Sequence, residues 1–235
     1  MRWRRKHVWT DPLQPTTEYV NVLGSKLKFL MRATRGVDGN NLIARNLTDS
    51  VSGRRIPRGA GTPVYAADGS FFGAKPVILM NGSASYFLLQ LANPITLAGD
   101  TPELFVVVRL ASYSANFRLI LTLANAAATA QSLSTNVGTV AFLGNSSVSQ
   151  SFSDTASPHF ITGRTESGTT ILSIDGIDVN STGGGVPQPQ CDRVYIGFSP
   201  NAPDGSIALC GVVQSAMSAA ERADIYRIAR AEFDF

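Results

Sequence analysis

Cysteine and histidine are nearly missing from this chain of 235 residues, with two of each, and glutamate is scarce. Two cysteines, Cys191 and Cys210, exclude a disulfide framework. They flank a run that reads as a hairpin turning near residues 201–204, which would set Cys210 opposite about Val194. Two buried free thiols are therefore expected, with a Cys191–Cys210 disulfide as the lesser alternative. Two histidines, His7 and His159, exclude a metal site built on imidazole, and the cysteines lack ligand spacing. A Ser/His/Asp arrangement would rest on His159 alone, in Ser157-Pro158-His159, and the sequence holds no Gly-x-Ser-x-Gly elbow. Glycoside hydrolysis needs two carboxylates within reach of one bond. Glu18, Glu103, Glu166, Glu221 and Glu232 each lack a second acid at the spacing that turns both to one face of a strand. These absences point away from an enzyme, with no catalytic residue and no cofactor expected.

Long apolar runs are also missing. The longest, Leu104–Val108, is far too short to cross a bilayer. Met1-Arg2-Trp3-Arg4-Arg5-Lys6 could open a signal peptide, but His7-Val8-Trp9-Thr10-Asp11-Pro12 follows where an apolar stretch is required. The expectation is a chain made without secretion and kept in solution. Asn46, Asn81, Asn145 and Asn180 then carry chance matches to the N-glycosylation pattern.

What is present is material for a core: 44% hydrophobic residues against 16% charged, a balance that excludes bulk disorder. Charge is unevenly placed. Residues 1–60 hold twelve Lys/Arg against four Asp/Glu, and residues 61–235 hold eight against thirteen. A basic head on a mildly acidic body suggests that the head meets something anionic.

Period-two runs separated by Gly, Pro, Asn, Asp and Ser dominate the chain. In Lys26–Arg32, Leu27, Phe29 and Met31 face one way and Lys26, Lys28 and Arg32 the other. Glu103–Ser112 contains a run rich enough to be buried on both faces. Phe117–Leu123, Thr139–Leu143, His159–Arg164 and Arg193–Phe198 are further strands. Thr170–Asn180 reads as a hairpin whose Asp175-Gly176 supplies the two positive-φ positions of a tight turn. Gly53–Thr62 and Ser181–Gln190 read as flexible loops, and neither Gly59-Ala60-Gly61 nor Gly183–Gly185 has the strand-then-helix context of a phosphate cradle.

One helix is expected, at the end. Ser218-Ala219-Ala220-Glu221 is a capping box, followed by an apolar stripe of Ile225, Ile228 and Ala229, with Arg222, Arg227 and Arg230 facing solvent. Residues 1–24 show no strand pattern and read as a basic arm, followed by one domain over 25–235. In the arm, Arg2, Arg4, Arg5 and Lys6 interleave with Trp3 and Trp9. That pattern suits a peptide docked in a partner's pockets, an anionic or nucleic-acid contact, an arm packed on its own domain, or a solvated tail; docking on another protein is the preferred reading and nucleic acid is not expected. Sugar sites combine an aromatic platform with amide or carboxylate groups, for which Tyr86, Tyr113, Asn116 and Tyr195 are the candidates. Calcium is possible but not expected, its candidate donors being Asp178, Asp192, Asn201 and Asp204.

Several segments resemble the concanavalin A-like (laminin G-like) jelly-roll domains of bacterial and phage proteins. Leu27-Lys28-Phe29-Leu30-Met31-Arg32-Ala33 is similar to that family's opening strand. Leu47-Thr48-Asp49-Ser50 stands where members often carry Trp-x-Asp-x-Ser-Gly, without the Trp. Lys75-Pro76-Val77-Ile78-Leu79-Met80-Asn81-Gly82-Ser83, Ile171-Leu172-Ser173-Ile174-Asp175-Gly176, and Gly205–Val213 followed by Met217-Ser218-Ala219-Ala220-Glu221-Arg222 resemble later landmarks. The resemblance implies an all-β, two-sheet jelly-roll sandwich with a short C-terminal helix. With the missing catalytic groups, it leads to an expected function: a non-enzymatic structural protein of a phage-like virion, as capsid decoration, head fibre or tail component. Its arm would fasten it to other virion proteins, as a homo-oligomer within the assembly, and its lectin-like body would face host surface polysaccharide. No membrane partner is expected. The alternative is a polysaccharide-degrading hydrolase or lyase on the same fold.

Overall fold

The period-two runs fold as strands in a computed structural model that describes residues 14–235, apart from 36, 38–42, 82–84, 97–101, 113–117, 127–128, 137, 145, 153, 167, 183–189 and 198–202. In chain order the elements are α1 (Gln14–Leu23), a 3₁₀ turn (Gly24–Lys26), β1 (Leu27–Arg32), β2 (Asn46–Thr48), β3 (Arg55–Ala60), β4 (Val64–Gly69), β5 (Lys75–Asn81) and β6 (Tyr86–Thr96). Then come β7 (Glu103–Leu110), β8 (Arg118–Ala124), β9 (Thr129–Asn136), β10 (Thr139–Leu143), β11 (Ser147–Ser151) and β12 (His159–Glu166). β13 (Thr169–Ile174), β14 (Ile177–Thr182), β15 (Gln190–Ile196), β16 (Asp204–Val213) and α2 (Ala219–Phe233) close the chain.

Among the described residues all strand pairings are antiparallel, in two eight-stranded sheets. The first runs β14-β13-β12-β7-β16-β5-β4, with β1 also on β16; the second runs β11-β10-β9-β8-β15-β6-β3-β2. The architecture is the expected all-β sandwich with a C-terminal helix. β15 and β16, neighbours in sequence, lie in different sheets, so the hairpin expected around residues 201–204 does not form. Cys191 and Cys210 both sit in the core between the sheets as free, buried thiols. Burial, with the Asp192 charge nearby, pushes the Cys191 thiol up to about 12; burial alone raises Cys210 well above the ordinary value.

The molecule has a third layer. α1 and α2 lie on the outer face of the first sheet and build a second apolar cluster from Tyr19, Leu23, Phe105, Val107, Ile225 and Phe233 among others. β7 explains the sequence's densest apolar run: Leu104, Val106 and Val108 enter the inter-sheet core, while Phe105 and Val107 meet the helices. β16 does the same with a register shift between Ile207 and Leu209. The extra residue turns both Ala208 and Leu209 to the helices while Ile207 and Cys210 stay inside.

The helical layer corrects four sequence expectations. Residues 14–23, assigned to the arm, form α1, whose Tyr19 and Leu23 at i, i+4 share one buried face. Arg32 does not face solvent; its guanidinium is buried and bonded to Glu232 of α2, at 2.5 Å from Nη2. β1 carries a register shift between Leu27 and Phe29, which sends Leu27 and Leu30 to the helices and Phe29 and Met31 to the main core. Arg222 likewise turns inward, 3.2 Å from the buried Glu103 carboxylate. The α2 capping box forms as expected, with the Glu221 N–H donating to Ser218 Oγ and the Ser218 N–H to Glu221 Oε2.

Two other turns are legible from the residues. Asp175 and Gly176 hold φ of 50° and 86° between paired Ile174 and Ile177, the left-handed pair that a tight hairpin requires. Asp49 is buried, and its carboxylate accepts the N–H groups of Leu30, Val51 and Ser52 and the Ser52 hydroxyl. It therefore pins the turn before β3 onto β1. Gly53–Thr62, expected as a flexible loop, contains the strand β3.

Candidate functional site

β6 and β15 lie side by side in the second sheet, with Tyr195 opposite Leu88 and Arg193 opposite Gln90. Phe87, Leu89, Val194 and Ile196 fill the core. By alternation Tyr86, Leu88, Gln90, Arg193 and Tyr195 stand on the sheet's outer face. The two tyrosines meet there with ring centroids 5.9 Å apart and planes tilted by 49°. Both are half-buried, and Gln90 is exposed. Arg193 lies 3.6 Å from Asp192, an ion contact rather than a hydrogen bond.

Gly59 sets this platform. β3 shifts register between Arg58 and Ala60 where it pairs with β6. A Cβ at Gly59 would lie 2.0 Å from the Tyr86 ring. The ring therefore rests on bare backbone, which only glycine allows. The sequence carried this signal, since glycine within a strand marks a bulge or a close approach.

The platform brings together Tyr86 and Tyr195 of the four glycan candidates; Tyr113 and Asn116 lie outside the described residues. The arm residues Arg2, Trp3, Arg4, Arg5, Lys6 and Trp9 lie outside them as well. Of the calcium candidates, Asp178 bonds Arg164 at 2.8 Å, Asp192 faces Arg193, Asp204 accepts from the Ser112 hydroxyl, and Asn201 is not described. Among the described residues there is no group of three or more His, Cys, Asp or Glu arranged to hold a metal.

Carboxylates isolated along the sequence gather across strands. On the outer face of the first sheet, Arg164 bonds both Asp178 and Glu166. Glu103 is fully buried there and accepts from the Met217 N–H and from Arg222. Burial raises its pKa, against the lowering effect of Arg222 and that N–H. At the other end of β12, His159 is held between two acids. Its Nδ1 lies 2.6 Å from Asp175 Oδ2, its Nε2 lies 3.3 Å from Asp154 Oδ2, and the Phe152 ring packs edge-on at 4.5 Å. Burial pushes the His159 pKa down, but the hydrogen bond and charge of Asp175, helped by Asp154, win and raise it. Spacing between acids along one strand missed these groups because Asp178 comes from β14, two strands away, Asp175 from a turn and Asp154 from the segment before β12.

Neither protein families nor curated proteins matched the sequence. Solved structures match the fold. Trypanosoma rangeli sialidase in complex with sialic acid aligns at TM-score 0.61 and 11% identity, over 90% of this chain and 37% of that one. The binding domain of botulinum neurotoxin serotype D aligns at TM-score 0.65 and 13% identity, over 86% of this chain and 51% of that one. The receptor-binding domain of botulinum neurotoxin type G gives TM-score 0.62 and 13% identity, over 87% and 51%. At these identities the likeness is one of fold. It shows a two-sheet β-sandwich, and this chain spans only about a third to a half of those chains.

The sialidase likeness also corrects the expectation that the chain is not an enzyme. Its fold recurs within a glycosidase chain, so a lack of catalytic spacing along single strands was not sufficient ground for that exclusion. The reason is physical: acids meet across strands in this sandwich, as Glu166 and Asp178 do at Arg164.

Proposed function

We propose that this chain is a carbohydrate-recognition module that reads a host-surface glycan on the Tyr86–Tyr195 face. The observation that carries the reading is the meeting of these two rings, from separate strands, beside Gln90 and Arg193. Pyranose rings present an apolar C–H face that stacks on aromatic side chains, while an amide and a guanidinium supply directed hydrogen bonds to hydroxyls. The platform is built on strands, with Tyr86 seated on the Gly59 backbone, so little ordering is left to the binding step. The matched sialidase is a complex with sialic acid and the matched toxin domains are binding domains, which supports a sugar as the ligand class.

A glycan array probed with the full chain tests this. Binding lost in both Tyr86→Ala and Tyr195→Ala, with the fold retained by circular dichroism, supports the reading. An array without any bound glycan, or binding that both variants keep, overturns it. A reducing-end assay on the bound glycan measures whether the same face also cleaves.

Membership in the concanavalin A-like family and placement on a phage-like particle belong to the same proposal. Their support is the set of resembling segments and the four cations and two tryptophans among residues 2–9. Docking on other virion proteins predicts that deleting residues 2–10 abolishes incorporation into particles; unchanged incorporation removes this part.

A further inference from the structure

A second feature adjoins the tyrosine face at Gln90, whose backbone carbonyl accepts from Arg54. Residues 43–62 hold Arg45, Arg54, Arg55 and Arg58 against a single acid, Asp49. All four arginines are exposed. Asp49 cannot neutralise them at the surface, because it is buried and its carboxylate is taken up by the Leu30, Val51 and Ser52 N–H groups. Among the described residues no carboxylate pairs with Lys28, Arg45, Arg54 or Arg58.

Of these arginines Arg54, together with Lys28 of β1, lines a cleft of about 350 Å³ between β1, the turn before β3 and the second half of β6. That volume falls at the lower end of small-ligand sites, roughly 300–1,000 Å³. Its floor is apolar, with Leu89 and Ile95, and its polar lining is Lys28, Asp49, Ser52, Arg54, Asn93 and Gln214; the Asp49 carboxylate there is already occupied by three backbone N–H groups. Arg54 is anchored across the cleft by one bond, from Nη1 to the Gln90 carbonyl at 2.7 Å. Among the described residues Nε and Nη2 take no further partner, and they form a planar fork, the arrangement that pairs with a carboxylate through two parallel hydrogen bonds.

We propose that this cleft is a separate binding site for a carboxylate-bearing sugar residue of an acidic polysaccharide. Arg54 takes the carboxylate, Lys28 adds a point charge, Asn93 and Gln214 meet ring hydroxyls, and the apolar floor takes the C–H face of the ring. A single-stranded nucleic acid would stack its bases on aromatic side chains, and none lines this cleft. A bilayer surface would contact a flat cationic face and leave an apolar-floored cleft unused.

The test is calorimetric titration of the full chain at low salt with a glucuronate-containing tetrasaccharide. Its carboxyl-reduced neutral counterpart, a 20-nucleotide single strand and phosphatidylglycerol vesicles are titrated alongside. The uronate oligosaccharide is expected to bind, and the neutral one at least about tenfold more weakly, as the loss of a charge-assisted hydrogen bond implies. Arg54→Gln and Lys28→Gln are each expected to weaken the uronate by a similar factor, Arg54→Lys is expected to recover only part, and added salt to weaken it further. Tyr86→Ala is expected to leave this binding unchanged, which separates the cleft from the tyrosine face. Equal binding of charged and neutral sugars overturns the proposal, as does unchanged binding by Arg54→Gln. So does the absence of uronate binding, or binding of the oligonucleotide or vesicles in its place.

Discussion

Arg32 and Glu232 meet at 2.5 Å although 200 residues separate them in the chain. Arg32 is 1% exposed and Glu232 11%. The same carboxylate accepts from the Tyr19 hydroxyl at 3.0 Å and from Thr34. One acid near the C-terminus thus ties α1, β1 and α2 together. Removing it leaves a guanidinium buried without a counter-charge. Glu232→Ala is expected to destabilise the fold by about 3 kcal/mol or more, read as a lower urea midpoint. The double variant Arg32→Met/Glu232→Leu is expected to recover much of that loss, since neither charge then remains desolvated.

A second buried acid makes a different prediction. Glu103 is fully buried, and its pKa stands above the ordinary value because burial outweighs Arg222 and the Met217 N–H. Arg222→Met takes away the cation and is expected to cost about 3 kcal/mol. In a Glu103→Gln background the same change is expected to cost much less, because an amide oxygen still accepts from Met217 without a charge to neutralise. A double-mutant cycle on denaturant midpoints gives the coupling; additive losses would show that the pair is not coupled.

His159 makes stability depend on pH. Its folded pKa is raised by Asp175 and Asp154 against the opposing effect of burial. A histidine with a raised folded pKa stabilises fully below its unfolded value of about 6.5, and the contribution disappears as pH climbs through the folded value. Melting temperature is therefore expected to fall as pH rises above about 6.5, by roughly 2–4 °C for each kcal/mol lost in a chain of this size. His159→Gln is expected to start lower and to lack that slope between pH 6 and 8.

Much of the scaffold is legible because its causes are local. The alternation of Val140 and Phe142 in β10, the Asp175-Gly176 turn and the Ser218–Glu221 box each follow from a few adjacent residues. Local pattern fails where a distant element changes a residue's environment. Arg32 reads as a solvent-facing cation on a strand until α2 lies across it. Residues 14–23 have no strand pattern because they are helical, and Tyr19 and Leu23 acquire meaning only against α2. Acids spaced uselessly along the sequence converge on Arg164 from β12 itself and from β14, and on His159 from the β13–β14 turn and the segment before β12. Tyr86 and Tyr195 could be nominated as aromatics in strands, but their meeting depends on the β6–β15 register, which no local signal specifies.

The final prediction joins that register to function through one missing atom group. Gly59 lies where a Cβ would come within 2.0–2.7 Å of three Tyr86 ring atoms. Gly59 is not among the positive-φ glycines, so alanine suits its backbone and the conflict is with the ring alone. Gly59→Ala is expected to push Tyr86 off its seat and break its contact with Tyr195. Overpacking of this kind costs about 1–3 kcal/mol, which leaves a folded protein to assay. Glycan binding on the tyrosine face is expected to fall to the level of Tyr86→Ala, while uronate binding in the Arg54 cleft stays intact. A variant that keeps full glycan binding with a displaced Tyr86, seen as altered aromatic NMR shifts, would show that the ring pair is packing and that the sugar is read elsewhere.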